Sequence, residues 1–366
     1  MPRPDNVPLL TPLYESTVCP WTPENPRHDH QLIFPLDEGR LMLVWSEYYA
    51  AAPEHVFRTQ FPGDGSVGFA DEAPCRISAK ISCDRGRSWS GKFTLQENRW
   101  GLNVKHPNLI RRSDGGVLFT FTAWQTESGE RNVFAKFSHD SCESWDPIVQ
   151  ISEPGWYCTN NDHALTLASG RIILPSHGGP GFVYKGKESK LYSFVFYSDD
   201  DGDSWRISNG RFTAPGRGAH EPTILELDNA RLVCLMRTTN ACVYRAYSDD
   251  QGDTWSEPEP TDLEAPDSPP LMKYIPGTKD ILLLWNNVPS HSNWPRTPLT
   301  AAISQDGGTS WSNFHDVDNR IDHDAAYAGI TFMEDEVLIT YYTRGTYWSR
   351  DTEIMLKIFK IEQFYE

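Results

Sequence analysis

Ionisable and polar side chains recur at two kinds of position along this chain of 366 residues. The first kind lies where a short apolar run begins: Arg27 to His30, Asn103 with His106, Asn160 to His163, His220-Glu221, Asp267-Ser268, and Asp324 with Tyr327. The second kind follows the next apolar run: Glu47-Tyr48, Trp124, His177, Arg237, Asn286-Asn287, and Tyr342 with Arg344. Imidazole, carboxylate and phenol groups can transfer protons or attack carbon, and guanidinium groups bind carboxylates. A lone histidine at such a place is more often structural, but many of these groups at one mouth predict a ligand site.

Six segments share the order of elements that must position these groups. The shared order is a strand, a tight turn, a second strand, a loop, a third strand, an eight-residue motif and a fourth strand, and the sixth segment lacks a clear copy of the motif. The predicted first and second strands are 31–36 with 41–46, 108–112 with 117–123, 164–168 with 172–175, 223–227 with 232–236, 271–275 with 281–285, and 330–333 with 337–342. Short apolar runs separated by turns favour an all-β fold, and no helix is predicted.

The eight-residue motif has the pattern S-x-D-x-G-x-[ST]-W. It occurs at 82–89, 198–205, 248–255 and 304–311, and a degenerate copy at 138–145 has Cys142 in place of the glycine. The motif tryptophans are spaced by 56, 60, 50 and 56 residues. Asp and Ser side chains bind nearby backbone N–H groups, and glycine supplies a positive φ, so each copy predicts a rigid hairpin. Five copies in register indicate a repeat architecture in which neighbouring units bury a shared core.

This motif is the Asp box, and from about residue 25 onward the chain resembles the sialidase-like (Asp-box, or BNR repeat) β-propeller superfamily. The resemblance implies a six-bladed β-propeller of four-stranded antiparallel sheets with Asp-box hairpins. We expect residues 25–366 to form this single domain and residues 1–24 an N-terminal arm. Within the arm, 14–19 is expected to add an outer strand to the last blade, which would remove an exposed edge.

Strand alternation predicts which face of the ring carries function. In an antiparallel blade, the start of the first strand, the end of the second and the loop to the third share one face. The Asp boxes fall on the other face and are therefore expected to be structural. The ring should focus the polar junctions around a central pocket.

The sialidase resemblance implies roles for individual residues. Sialidases hold a substrate carboxylate with three arginines and use a tyrosine nucleophile activated by a glutamate. His220-Glu221-Pro222 followed by Arg237 is similar to the family's Glu and second arginine. Arg296, ahead of Thr297-Pro298-Leu299-Thr300, is similar to the third arginine, and Tyr327-Ala328-Gly329-Ile330-Thr331 is similar to the tyrosine motif.

Blade one departs from the sialidase pattern because it has no R-I-P motif. Arg27 stands close to the expected place of the first arginine, and Arg76 either supplies a guanidinium or lies on the surface. The acid/base carboxylate of the family belongs to the loop between the second and third strands of this blade. Glu47, Asp64, Asp71 and Glu72 are all candidates for it. Further substrate-binding candidates are Asn161, Asp162, His177, Asn287 and Tyr157.

The histidines of the mouth favour a second hypothesis. Some related propellers are polysaccharide lyases that act on uronates, such as ulvan and rhamnose–glucuronate lyases. There an arginine neutralises the uronate carboxylate and a His or Tyr removes the C5 proton. His106, His163 and His220 are the candidate bases here. A sialidase-type exo-glycosidase is the first interpretation, a uronate lyase the second, and a non-catalytic sugar-binding propeller the third.

Composition excludes some partners and leaves others open. The net charge of −17 argues against a nucleic-acid partner, whereas an acidic sugar can still bind to arginines focused in one cleft. No apolar stretch approaches the ~20 residues of a membrane span, and the N-terminus lacks the pattern of a signal peptide, so a cytoplasmic protein is expected. The seven cysteines are read as reduced. No histidine spacing is a metal-ligand motif such as H-E-x-x-H, so no metal or cofactor is predicted.

Overall fold

The computed structural model describes residues 3–50, 71, 73–180, 182, 190–292, 294–345 and 351–366. Within these residues the chain forms strands and two 3-10 turns, Asp37–Gly39 and Ile361–Phe364, and no α-helix. The strands of the first half are β1 Tyr14–Cys19, β2 Arg27–Pro35, β3 Leu41–Tyr48, β4 Cys75–Ser82, β5 Phe93–Gln96, β6 Gly101–Arg111, β7 Val117–Gln125, β8 Arg131–Ser138, β9 Val149–Gln150, β10 Trp156–Thr159, β11 Leu165–Thr166, β12 Ile172–Gly179, β13 Ser193–Ser198 and β14 Arg206–Ile207. Those of the second half are β15 His220–Glu226, β16 Leu232–Arg237, β17 Cys242–Ser248, β18 Glu259–Glu264, β19 Leu271–Tyr274, β20 Ile281–Asn286, β21 Leu299–Ser304, β22 Ser312–Asp318, β23 Asp324–Met333, β24 Glu336–Arg344 and β25 Glu353–Lys360. The all-β prediction is confirmed.

The strands form antiparallel sets in chain order. Three sheets have four strands each: β15 to β18, β19 to β22, and β23-β24-β25-β1. A thirteen-stranded sheet holds β2 to β14 and consists of three antiparallel sets. Single parallel residue pairs, Cys75 with Asn103 and Arg131 with Trp156, join these sets. The pairing of β1 with β25 is the one expected for residues 14–19.

The first strand of the third set differs from the prediction. Residues 164–168 were expected to form one strand, but β10 and β11 share this place and residues 160–164 lie between them. Side-chain bonds hold this break open, because Asn108 Oδ1 accepts hydrogen bonds from the backbone N–H groups of His163 and Ala164. Asn108 also donates through Nδ2 to the Asn160 carbonyl, 2.8 Å away. The backbone groups of this segment are therefore satisfied by a side chain rather than by a strand ladder.

A kink recurs in the first strands of five sets. His30, His106, Asp162, Glu221 and Tyr327 all have positive φ, between 48° and 59°. In β2, β6, β15 and β23 the pairing register shifts at this residue, which identifies a bulge. A bulge breaks strict alternation and turns a side chain in a new direction. His30, His106, Glu221 and Tyr327 are therefore aimed by the same backbone device, and Asp162, which lies between β10 and β11, shares only their positive φ.

The Asp boxes form by local side-chain bonds. In the box at 248–255, Asp250 accepts hydrogen bonds from the Thr254 backbone N–H (2.8 Å) and hydroxyl (2.5 Å), and Ser248 Oγ donates to it over 2.8 Å. Trp255 Nε1 donates back to the Gly252 carbonyl, 3.0 Å away. The degenerate box makes the same bonds around Asp140, with Cys142 taking a positive φ of 71°.

We expect Asp250→Ala to lower the free energy of unfolding by about 1–3 kcal/mol, because it removes a charged acceptor that three donors share. Asp249→Ala is the matched control. Asp249 adjoins Asp250 but is exposed, and its one contact within the described residues is a surface ion pair with Arg231, 3.1 Å away, so its loss should cost less than about 1 kcal/mol. Urea denaturation measures both, and equal losses would contradict a structural role for the box aspartate.

Candidate functional site

Tyr327, Glu221 and Arg237 form a closed set of hydrogen bonds where β15 and β23 kink and β16 ends. Tyr327 Oη donates to Glu221 Oε1 over 2.8 Å. Arg237 Nη1 donates to Glu221 Oε2 over 2.6 Å and to Tyr327 Oη over 3.0 Å. Glu221 and Arg237 are buried, whereas Tyr327 is partly exposed. The phenol is therefore the member of the set that a ligand can reach.

Burial and charge keep the proton of this set on the tyrosine. Burial alone would raise the pKa of Glu221, but the charge of Arg237 and the neighbouring His220 and His177 outweigh it and hold the pKa well below its usual range. Burial raises the pKa of Tyr327 well above its ordinary value, and the Glu221 charge raises it further. The resting state thus has an ionised glutamate as hydrogen-bond acceptor for a neutral phenol.

Arg296 borders the same tyrosine. Its guanidinium carbon lies 5.4 Å from the centre of the Tyr327 ring. Its Nη1 donates to Tyr342 Oη over 2.8 Å, and its Nη2 donates to the Asp267 carbonyl over 3.1 Å. Its Nε is buried and has no hydrogen-bond partner within the described part of the chain. A second buried guanidinium therefore lies beside the tyrosine, and its Nε–H group is available to donate a hydrogen bond to a ligand.

Asp267 positions the arginine of this set. Its Oδ1 accepts hydrogen bonds from Arg237 Nε (2.5 Å) and His220 Nε2 (3.0 Å), and its Oδ2 accepts one from Arg217 Nη1 (3.0 Å). Burial alone would raise the pKa of Asp267, but Arg237 and His220 hold it well below its usual range. In the sequence, Asp267 stands at a strand start and matches no motif that gives it a role. Its position in the sequence could have identified it, because Asp267 stands ahead of the first strand of its sheet, β19, and Glu221 and Tyr327 lie in the first strands of theirs, β15 and β23.

Comparison with known proteins assigns this chain to a family. The BNR repeat-like domain matches residues 76–339 of the chain. The chain belongs to the BNR repeat-like family. Its sequence is similar to that of a sialidase from Clostridium perfringens (22% identical over 251 residues, 59% of this chain and 63% of that protein). It is also similar to a sialidase from Bacteroides fragilis (24% identical over 304 residues, 73% of this chain and 53% of that protein).

Solved structures show the same fold. The Trypanosoma rangeli sialidase in complex with sialic acid superposes with a TM-score of 0.71 at 14% identity, over 98% of this chain and 60% of that one. A protein of unknown function from Dyadobacter fermentans superposes with a TM-score of 0.72 at 16% identity, over 96% of this chain and 99% of that one. The sequence match spans 32% to 63% of the length of the Clostridium perfringens and Bacteroides fragilis sialidases and of two further curated relatives.

The segment 160–163 of this BNR repeat-like protein serves mainly to join strands. His163 Nδ1 bonds the Pro222 carbonyl (3.0 Å) and its Nε2 lies 3.3 Å from Asn160 Nδ2, so protein atoms occupy both ring nitrogens. Asp162 pairs with Lys273 over 2.5 Å and accepts the backbone N–H of Ile330. The predicted roles of His163 as a base and Asp162 as a substrate ligand are therefore replaced by contacts across the fold. Asn161 donates to the Gln31 carbonyl over 2.6 Å, and its Oδ1 is buried.

Two further histidines of the mouth are held by other donors. Arg131 Nη2 lies 2.8 Å from His106 Nδ1, which is also 2.8 Å from Thr122 Oγ1. Burial lowers the pKa of His106 well below its usual value, and the Arg131 charge lowers it further. His177 Nδ1 accepts the backbone N–H of Glu221 over 3.2 Å. His177 therefore orients the kink that carries the glutamate, and Arg131 is a site residue that the sequence analysis did not single out.

Arg27, the candidate for the first of the family's three arginines, is engaged by two carboxylates. Arg27 Nη2 lies 2.7 Å from Asp29 and 2.8 Å from Asp71, and its guanidinium carbon is 4.5 Å from the centre of the Tyr48 ring. Its position at the start of β2 agrees with the prediction. Its partners are protein anions, however, so it positions Asp29 and Asp71 as well as adding positive charge to the mouth.

Glu47 and Arg76 pair with each other away from the tyrosine. Glu47 accepts hydrogen bonds from Arg76 Nε (2.8 Å), Lys92 Nζ (2.5 Å) and Ser78 Oγ (2.9 Å). A carboxylate with three donors is poorly suited to the acid/base role for which it was a candidate, and Arg76 is committed to it. Asp64 and Glu72, two other candidates for that role, lie outside the described residues.

The predicted role of Tyr157 is wrong, because its ring is part of the core. It packs against Phe194 and Phe196, with ring centres 6.1 Å and 5.3 Å away. Its neighbour Cys158 points to the other side of β10, where its sulfur lies 3.8 Å from His106 Nε2. Asn287 is buried next to the end of β20, and its Nδ2 has no partner in the part of the chain described here.

Two kinds of feature are absent from the described residues. No group of three or more His, Cys, Asp and Glu side chains is placed to hold a metal ion. No helix is long and apolar enough to cross a membrane.

Proposed function

We propose that this protein is a glycosidase of the sialidase type, which hydrolyses the bond to a terminal acidic sugar. The observation that carries the proposal is the hydrogen bond between the partly exposed Tyr327 and the buried, ionised Glu221, with Arg237 in contact with both. A bare tyrosine is a poor nucleophile at its usual pKa of about 10. A carboxylate that accepts its proton during attack removes this obstacle.

The chemistry assigns one task to each group. Tyr327 attacks the anomeric carbon and Glu221 takes the phenolic proton. Arg237 stabilises the negative charge that develops on the phenolic oxygen, 3.0 Å from its Nη1. Because the pKa of Glu221 lies well below its usual range, proton transfer becomes favourable only as the new bond forms. The tyrosine is therefore reactive toward a bound sugar and inert toward solvent.

Two guanidinium groups support an acidic substrate. Arg237 and Arg296 both contact Tyr327, so a carboxylate on the attacked carbon of the sugar would lie between them and the nucleophile. The three antiparallel sets and the three separate sheets support a six-bladed ring around this mouth. Sialidases among the relatives support the same substrate class.

Incubation with α-linked sialosides and assay of released sialic acid tests the proposal. Release is the expected result. A second panel of uronate-containing glycans, such as ulvan and rhamnosyl-glucuronate ends, is followed by the ultraviolet absorbance of an unsaturated uronate. If no sialoside releases sialic acid and the ultraviolet absorbance of the uronate panel rises, the reaction is elimination and not hydrolysis. Silence in both panels combined with measurable sialoside binding would favour a sugar-binding propeller.

One observation favours uronate elimination as the second candidate. The His30 ring lies edge-on to Tyr327, with ring centres 4.5 Å apart, and edge-on to His106, with centres 4.3 Å apart. A lyase needs a base and an acid close to one sugar carbon, and an imidazole beside a phenol provides such a pair. His106 itself is less suited to this role than the sequence predicted, because Arg131 and Thr122 engage its Nδ1.

A further inference from the structure

Asp29 and His30 form a buried acid–imidazole pair beside the candidate nucleophile. His30 Nδ1 lies 2.5 Å from Asp29 Oδ1. Arg27 holds the other carboxylate oxygen of Asp29, with Nε at 2.9 Å and Nη2 at 2.7 Å. A carboxylate fixed from behind orients an imidazole and stabilises its protonated form. No hydrogen bond in the described residues engages Nε2, the other ring nitrogen of His30.

The backbone places His30 as it places the two residues proposed for catalysis. His30, Glu221 and Tyr327 have φ values of 51°, 48° and 53°, and each stands at the bulge of a first strand. Non-glycine residues seldom adopt such values, and they persist at sites where the surrounding structure enforces them. The same device that aims Glu221 at Tyr327 therefore aims His30 at it from β2.

The other histidines of the mouth lack this combination. His163 has both nitrogens bound to protein atoms, and His106 is engaged by Arg131. His220 also pairs with a carboxylate, Asp267, but its other ring nitrogen, Nδ1, is buried and has no hydrogen-bond partner among the described residues. His30 combines a carboxylate on one nitrogen with direct ring contact to Tyr327.

We propose that His30, oriented by Asp29, is the acid/base residue of the reaction, in place of a carboxylate from the loop between β3 and β4. This inference rests on the proposed glycosidase function and adds the group that protonates the leaving oxygen. Asp71, the described carboxylate of that loop, is paired with Arg27 over 2.8 Å and so supports the pair rather than replacing it.

Protons and electron pairs balance over two steps. In the first, Tyr327 Oη bonds to the anomeric carbon, the bond to the leaving oxygen breaks, Glu221 takes the phenolic proton and His30 Nε2 gives a proton to the leaving oxygen. In the second, water attacks the anomeric carbon and His30 Nε2 takes a proton from it. The bond from carbon to Tyr327 breaks, and Glu221 returns the phenolic proton. The sum is hydrolysis, with every protein group restored.

Because His30 must be protonated to act as an acid, the proposal predicts how turnover changes with pH. The groups that face His30 are Asp29, Lys105, His106, Glu221 and Tyr327. Burial lowers the pKa of His30 below its ordinary value, and Lys105 adds to this, while Asp29 and Glu221 oppose it. Because the protonated form is needed, turnover should be full at acidic pH and fall as pH rises through this pKa. We expect the basic limb below about pH 6.5, the usual value for histidine.

Leaving-group dependence tests the proposal. In His30→Asn the new residue tolerates positive φ, so the bulge is kept while the proton donor is lost. We expect kcat/KM for a natural sialoside to fall about 10²–10³-fold. For a methylumbelliferyl sialoside, whose leaving group needs little protonation, the loss should stay below about 10-fold. Azide should restore turnover of the aryl substrate and give the glycosyl azide, and the basic limb of the pH profile should disappear. Asp29→Asn should change the ratio in the same direction.

The control is His139→Asn, which removes an exposed histidine paired with Asp146 in the degenerate Asp box. It should leave both substrates unaffected. Equal losses on the two substrates in His30→Asn, or a leaving-group-dependent loss in Asp71→Asn instead, would overturn the inference. Either result would leave the glycosidase proposal intact, because that proposal fails separately if the unaltered protein releases no acidic sugar.

Discussion

Tyr327→Phe is expected to lower kcat for sialoside hydrolysis by at least roughly 10³-fold, because removal of a nucleophile leaves only binding and electrostatic effects. The substitution deletes the oxygen that Glu221 and Arg237 share and retains the ring that packs against His30. The protein should stay folded, since each of the two hydrogen bonds that are lost costs about 1–3 kcal/mol. Steady-state kinetics and thermal unfolding measure the two effects separately.

Tyr342→Phe is the matched control for this prediction. Tyr342 lies 5.8 Å from Tyr327 between ring centres, and its hydroxyl accepts a hydrogen bond from Arg296 over 2.8 Å. Its loss should loosen a substrate-binding arginine, so we expect KM to rise with kcat changed less than about 10-fold. Comparable falls in kcat for the two variants would speak against Tyr327 as the nucleophile.

Glu221→Gln is expected to lower kcat by about 10²–10⁴-fold, the range for loss of a general base. Glutamine keeps the shape of the side chain and an oxygen that can accept from Tyr327 or Arg237. It cannot take up the phenolic proton. Arg237 keeps Asp267 as a charged partner at 2.5 Å, so the buried guanidinium is not left unpaired. Kinetics with sialosides and with uronate glycans should be measured in parallel.

Glu226→Gln provides the comparison at the other end of β15. Glu226 Oε2 accepts the Ala168 backbone N–H, and the residue lies six positions after His220, away from the tyrosine. Its activity should equal that of the unaltered protein. If Glu221→Gln keeps full turnover of any substrate, Glu221 is not the base of that reaction. A surviving elimination activity would then make the lyase hypothesis the better one.

The features that could be predicted from the sequence are those that local interactions determine. An Asp box forms within eight residues, since Asp84 bonds Ser88 and Asp306 bonds Ser310 through the same side-chain contacts. Its sequence pattern therefore carries its conformation, even where Cys142 replaces glycine. The same holds for Glu221 and Arg237, because they face each other across one hairpin of β15 and β16. Sequence spacing within a hairpin fixes such a pair.

Tertiary contacts decided the rest of the site. The resemblance gives a role to Arg27 and none to His30, but a bulge after Asp29 turns His30 toward Tyr327, almost three hundred residues away in sequence. His163 Nδ1 is hydrogen-bonded to a backbone carbonyl of β15, and the Tyr157 side chain lies on the core side of β10. A change of register by one residue moves a strand's side chains to the opposite face.

The sequence by itself determined the repeat and the all-β class, because short-range spacing encodes both, and its resemblance to sialidases pointed to the tyrosine, glutamate and arginines proposed for catalysis. Only the tertiary structure decided which histidines are free to move a proton, and that Asp267 and Asp29 anchor Arg237 and His30. The reason is physical: Asp267 meets Arg237 across 30 residues of sequence, and it is the bulge in β2 that brings His30 against Tyr327 of another sheet.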